Sequence, residues 1–165
     1  MISGKDIDTL RSIARAGGDY DAIKRLLAET QWEIDADEVD LGFLRIFVPD
    51  VIDERYRLII GYHDPDHPPY SLLTFSLFPD SEERIAAFNS AFHSVGDAIT
   101  RHLGAPIAKG ERQLSFRTWS YAYQRWSLPE GEFTLVQGEF DIQDGMDITL
   151  WIQPVGTPIE ETVHL

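Results

Sequence analysis

Residues 80–103 read DSEERIAAFNSAFHSVGDAITRHL, and their periodicity decides how the rest of the chain must be arranged. Ile85, Phe88, Phe92, Val95, Ile99 and Leu103 recur at three- and four-residue intervals, which stacks them in one narrow stripe along a helix. Asp80 with Glu83 has the spacing of a capping box, and acids in the first turn suit the helix dipole. Gly104 followed by Pro106 stops the helix. Burying the stripe contributes roughly 10 kcal/mol before conformational entropy is counted. Gly96 lies beside the stripe, where glycine costs about 1 kcal/mol relative to alanine. The expectation is that a sheet approaches too closely there for a side chain. The segment is a core element that carries no chemistry, and it needs a sheet to lie on.

The sheet is sought on both sides of it. Upstream, Gln31–Asp35, Phe43–Val48, Tyr56–Gly61 and Tyr70–Phe78 read as antiparallel strands; Trp32 and Ile34 share one side of the first, and Leu73, Phe75 and Leu77 alternate onto one face of the last. Downstream, no glycine or proline interrupts Gln113 to Trp126, so residues 109–126 read as one long strand or two with a bend. The final hairpin is read with a three-residue loop, Gln143 to Gly145, because that register sets Ile142 against Met146, Phe140 against Ile148 and Val136 against Ile152. Gly138 then faces Leu150. At the N-terminus, Ser3 with Asp6 caps a short helix carrying Ile7, Leu10 and Ile13, and Asp19 caps a second carrying Tyr20, Ile23, Leu26 and Leu27. The expected fold is α+β: an antiparallel sheet packed on one long central helix, with a two-helix N-terminal hairpin. Residues 1–165 are expected to form a single domain, with 156–165 loosely held.

Composition narrows the function. A formal net charge of −14 argues against sequence-independent nucleic-acid binding, because phosphates are repelled rather than neutralised. With no cysteine, thiolate metal sites and thiol nucleophiles are excluded, and a reducing, cytoplasmic setting is expected. Acids interrupt the N-terminus before any apolar run that a signal peptide or a membrane span would need. The expected partner is therefore a protein, with neither nucleic acid nor membrane.

Three groups of residues are candidates for chemistry or binding. His63-Asp64-Pro65-Asp66-His67 offers imidazoles and carboxylates, but its prolines make it a turn and its spacing matches no zinc signature. No metal and no cofactor is expected, and the absence of nucleophile-elbow, metalloprotease or phosphate-loop motifs points away from an enzyme. His93 is expected to face solvent and His102 to sit at the edge of the apolar stripe. Acids cluster in two expected loops, Asp35, Asp37, Glu38 and Asp40 in one, Asp50, Asp53 and Glu54 in the other. They are either solvated turns or an acidic rim that steers a cationic partner. Finally, alternation places Arg117, Trp119, Tyr121, Tyr123 and Arg125 on one strand face. These are the residue types enriched at binding hot spots, and the competing reading is a face covered by the chain's own elements.

Phe88, Ala91 and Phe92, followed by the Leu103–Pro106 run LGAP and then by aromatic strands with Arg125-Trp126, give the C-terminal half its character. With its size, acidity and lack of cysteine, the chain in this respect resembles the small acidic immunity proteins of bacterial polymorphic toxin systems. The resemblance implies a cytosolic α+β domain that binds a basic toxin domain, such as a nuclease, and occludes its active site. It transfers no site residue, since such families diverge most where they bind. A second likeness is to the small acidic α+β chaperones of type III secretion systems, whose helical C-terminus this chain is not expected to share. A small-molecule receptor is the third class.

Overall fold

The computed structural model describes residues 2–17, 19–38, 43–47, 57–61, 70–77, 81–113, 120–141 and 145–163. Helices α1 (Gly4–Ala16) and α2 (Tyr20–Leu27) lead into strands β1 (Glu33–Glu38), β2 (Phe43–Phe47), β3 (Arg57–Gly61) and β4 (Tyr70–Leu77). The long helix α3 (Glu82–Leu103) follows, then β5 (Ala108–Gln113), β6 (Ser120–Leu128), β7 (Gly131–Asp141) and β8 (Gly145–Gln153), and a short helix α4 (Ile159–Val163). All eight strands form one antiparallel sheet in the order β1-β2-β3-β4-β8-β7-β6-β5, and the fold is α+β.

The apolar stripe of α3 is the core it was expected to be. Phe88, Phe92, Val95 and Ile99 are buried, Ile85 and Leu103 are partly so, and they share one cluster with Ile7, Leu10 and Ile13 of α1, Ile23 and Leu27 of α2, and Leu135, Ile148 and Leu150 of the sheet. The N-cap of α3 is Ser81 rather than Asp80: its hydroxyl accepts the Arg84 N–H at 3.2 Å. A cap must sit three residues before the N–H it serves, and Ser81 meets that requirement for a helix starting at Glu82. The stop is at Gly104, whose φ of 89° is a conformation that glycine tolerates and other residues rarely adopt. At the start of the chain the Ser3–Asp6 capping box forms in full, and Asp19 accepts the Ala22 N–H at 2.9 Å.

Gly96 is where the sequence places a close approach, and the approaching group is the side chain of Gln124 on β6. A Cβ built on Gly96 would stand 2.6 Å from Gln124 Oε1. Gly96→Ala should therefore displace the end of the Gln124 side chain, a cheap shift because that side chain is flexible, while gaining about 1 kcal/mol of helix propensity. Denaturant titration should show stability within about 1 kcal/mol of wild type, and pairing the change with Gln124→Ala, which removes the contact, should leave the propensity gain alone.

Several expected strands move. The first begins at Glu33, so Trp32 is not on it: its N–H bonds to Thr30 Oγ1 in the preceding turn, and its ring is buried while Ile34 is 41% exposed. Of the two readings of residues 109–126, the structure has two strands: 109–113 belong to β5 and 120–126 to β6, which pair antiparallel, and 114–119 lie outside the described residues. On β4, Leu73 pairs with Thr149, whereas Phe75 and Leu77 pair with Ile148 and Met146, because a register shift between Leu73 and Phe75 breaks the simple alternation. The final hairpin also slips: Val136 pairs with Thr149, Leu135 with Leu150 and Gly138 with Asp147, and a bulge separates Glu139 from Asp141. The expected register assumed one dry face and one wet face. Strands β7 and β8 are instead buried on both, with Phe133, Leu135, Ile148 and Leu150 on the helix side and Glu132, Thr134, Asp147 and Thr149 on the other. Alternation between core and solvent then no longer selects the register.

One polar latch fixes α1 to the β6–β7 turn. Glu130 accepts from Arg11 at 2.8 Å and from Arg15 at 2.5 Å, with its own side chain only 5% exposed. Burial pushes the Glu130 pKa up, but the hydrogen bonds from Arg11 and Arg15 outweigh it and hold the carboxyl below its ordinary value. A lowered folded pKa adds stability that is complete above the unfolded value and is lost as pH falls through the folded one. Melting curves should thus show Glu130→Gln less stable than wild type by about 1 kcal/mol at neutral pH, a small effect because both arginines touch solvent. The gap should close in acid below the usual carboxylate range, about pH 4.

Candidate interaction surface

The acidic end of the sheet is a strand, not a loop. Asp35, Asp37 and Glu38, expected in a turn, belong to β1 with Glu33, and β1 lies at one edge of the sheet. Acids thus occupy four of its six positions, EIDADE, with no base among them. Glu33 and Asp37 are exposed. Asp37 Oδ2 meets Lys24 Nζ of α2 at 2.5 Å, a partly exposed pair that ties the edge to the N-terminal helices. A cation brought to this edge gains attraction from the exposed carboxylates of Glu33 and Asp37. Asp40, Asp50, Asp53 and Glu54 lie outside the described residues, as do Arg117, Trp119 and the His63–His67 segment. Among the described residues, no group of histidine and acidic side chains could hold a metal ion.

The aromatic and arginine face of β6 is not open, which corrects its expected role for two residues. Tyr121 is 0% exposed and Arg125 4% exposed, and Tyr123 is partly buried. What covers this side of the sheet is the chain's own C-terminal segment, which was expected to be loosely held. Residues 154–163 turn back across it, and Thr162 and Val163 are buried. The sheet grips this strap largely by its main chain. Arg125 Nη2 donates to the Thr157 carbonyl at 2.5 Å, Arg112 Nη1 donates to the Val163 carbonyl at 2.5 Å, and the Gly156 N–H donates to Glu132 Oε1 at 2.9 Å. The Thr162 hydroxyl donates to Gln153 Oε1. Arg125 Nε stands 3.3 Å from Glu132 Oε2, both side chains nearly inaccessible, and Ser127 Oγ donates to Glu132 Oε1 at 3.0 Å. The Arg112 guanidinium lies 5.7 Å from the centroid of Tyr121, within cation–π range. Arginine and tyrosine here hold the fold rather than a partner.

Arg112, Glu132, Gln153 and Thr162 were not singled out from sequence. Glu132 left a trace there, as an acid immediately before Phe133-Thr134-Leu135-Val136; a buried charge of that kind needs a buried partner. His93 is exposed, as read; His102, expected at the edge of the apolar stripe, is exposed at the end of α3, where Nε2 meets Asp8 Oδ1 of α1 at 2.9 Å. No helix among the described residues is long and apolar enough to cross a membrane. Compared with known proteins, the chain matches no family model, no curated protein and no solved structure.

Proposed function

We propose that the protein is a non-enzymatic binding domain whose acidic sheet edge receives a basic protein partner, acting as an immunity-type inhibitor that occludes the active site of a toxin domain. The observation that carries this reading is β1: an edge strand with acids at four of six positions, in a chain of net charge −14. An edge strand presents unpaired backbone donors and acceptors, and its carboxylates suit a lysine- or arginine-rich surface. Inhibition by occlusion asks only for coverage, and the strand's charge then sets the speed of encounter. With a captured basic partner, the association rate should fall by roughly tenfold between low salt and about 0.5 M salt, while dissociation changes less. Rates that are equal at both salt concentrations would count against an acidic docking edge.

A further inference from the structure

The two edges of the sheet differ in kind. At β1 any pairing with a second copy would bring acid against acid, which disfavours it. At the other edge, β5 reads Ala108-Lys109-Gly110-Glu111-Arg112-Gln113, with opposite charges placed symmetrically about Gly110. Among the described residues, no strand pairs with its outer side. Lys109, Glu111 and Gln113 are exposed, and Ile107, immediately before the strand, is 66% exposed, one of three large apolar side chains open to water among the described residues.

We infer that β5 is a self-association edge, at which two copies of this chain pair antiparallel about a two-fold axis through Gly110. In that register Lys109 lies opposite the partner's Glu111, and Glu111 opposite the partner's Lys109. Paired residues of an antiparallel ladder share a face, so both ion pairs form on the same side of the sheet. Ile107 falls opposite the partner's Gln113 and loses much of its exposure. Gly110 meets the partner's Gly110; neither carries a side chain of its own at the axis, and the space a Cβ would take on each is filled by the Tyr123 ring of the same copy. The contact is isologous and closes at two copies, giving one continuous sheet of twice eight strands with a β1 edge at each end. A six-residue edge is a small interface, so the dimer should form reversibly at roughly tens of micromolar. The inference stands apart from the proposed function, since β1 remains free in the dimer and the variants below leave it untouched.

Analytical ultracentrifugation over a concentration series of the whole chain tests it, using Lys109→Glu, Glu111→Lys, the double swap, and an equimolar mixture of the two single variants. Circular dichroism checks that each is folded. Wild type should dimerise, and each single reversal should raise the dimer dissociation constant by roughly tenfold or more, because two attractions become two repulsions. The double swap should restore dimerisation, and the mixed single variants should form a heterodimer although neither self-associates. A wild-type chain that stays monomeric to about 500 μM, well above the range of such interfaces, overturns the inference. So does a dimer indifferent to both single reversals, or a mixture of folded variants that remains monomeric.

Discussion

Arg125→Ala should destabilise the protein by about 3–5 kcal/mol, because it leaves the Glu132 carboxylate buried without its cation. The two side chains are only 5% and 8% exposed, and Arg125 also holds the strap through the Thr157 carbonyl. Removing the arginine leaves both of those oxygens poorly served. Equilibrium denaturation measures the loss, and a midpoint within error of wild type would return Arg125 to the class of surface binding residues. Replacing the pair together, with Arg125→Met and Glu132→Leu, should cost far less than the single change, since neither charge is then buried. That contrast separates an electrostatic role from one of simple packing, and it should be read alongside the mobility of residues 154–163 by hydrogen exchange. A freed strap should exchange faster in Arg125→Ala.

The second large effect is expected at the neighbouring position. Trp126 points to the opposite side of the sheet, is 2% exposed, and donates from Nε1 to the Gly104 carbonyl at 2.9 Å. It therefore joins the sheet to the C-terminal end of α3 by both packing and a hydrogen bond. Trp126→Ala should cost about 3–5 kcal/mol through the cavity it leaves. Trp126→Phe keeps most of the volume, and the remaining deficit of about 1–2 kcal/mol measures the lost hydrogen bond and the unfilled space. Denaturation curves of the two variants place the residue; equal losses would mean that the contact with Gly104 contributes more than the burial of the ring.

These neighbours illustrate what the sequence could reveal. The stripe on α3, both N-terminal helices and the existence of most strands were legible because each element buries one face, and that face repeats with the element's own period. The register of β7 and β8 was not, because α1 and α3 cover one side and the strap covers the other. Gln137 shows the consequence. It sits among apolar residues on the helix side, yet its Oε1 accepts the Ala122 N–H at 2.8 Å and its Nε2 donates to Asn89 at 2.9 Å. A glutamine satisfied by a strand neighbour and a helix is indistinguishable in sequence from one facing water.

The candidate site was legible in part for the same reason. That acids crowd between residues 35 and 40 is plain from sequence, but their placement on an edge strand depends on long-range pairing of β1 with β2. Of the Arg–Trp–Tyr alternation, Tyr121, Tyr123 and Arg125 lie at alternate positions of β6 as read, and Arg117 and Trp119 lie outside the described residues. Its cover could not be read, because Gly156, Pro158 and the polar residues after them look like a loose tail until Arg112 and Arg125 are seen to hold its carbonyls. Residue type alone cannot distinguish an arginine that waits for a partner from one already occupied.

Affinity capture from the native host cell, with wild type and with Glu33→Lys/Asp37→Lys, asks whether β1 receives a basic partner. Both altered positions are exposed, but Asp37→Lys also loses the pair with Lys24, so circular dichroism and a melting curve check that the variant is folded before capture. Wild type should recover one basic protein in near-equal amount at low salt, and the folded variant should recover little of it. Equal recovery of that partner by both chains, or recovery of no partner by wild type, would contradict docking at β1.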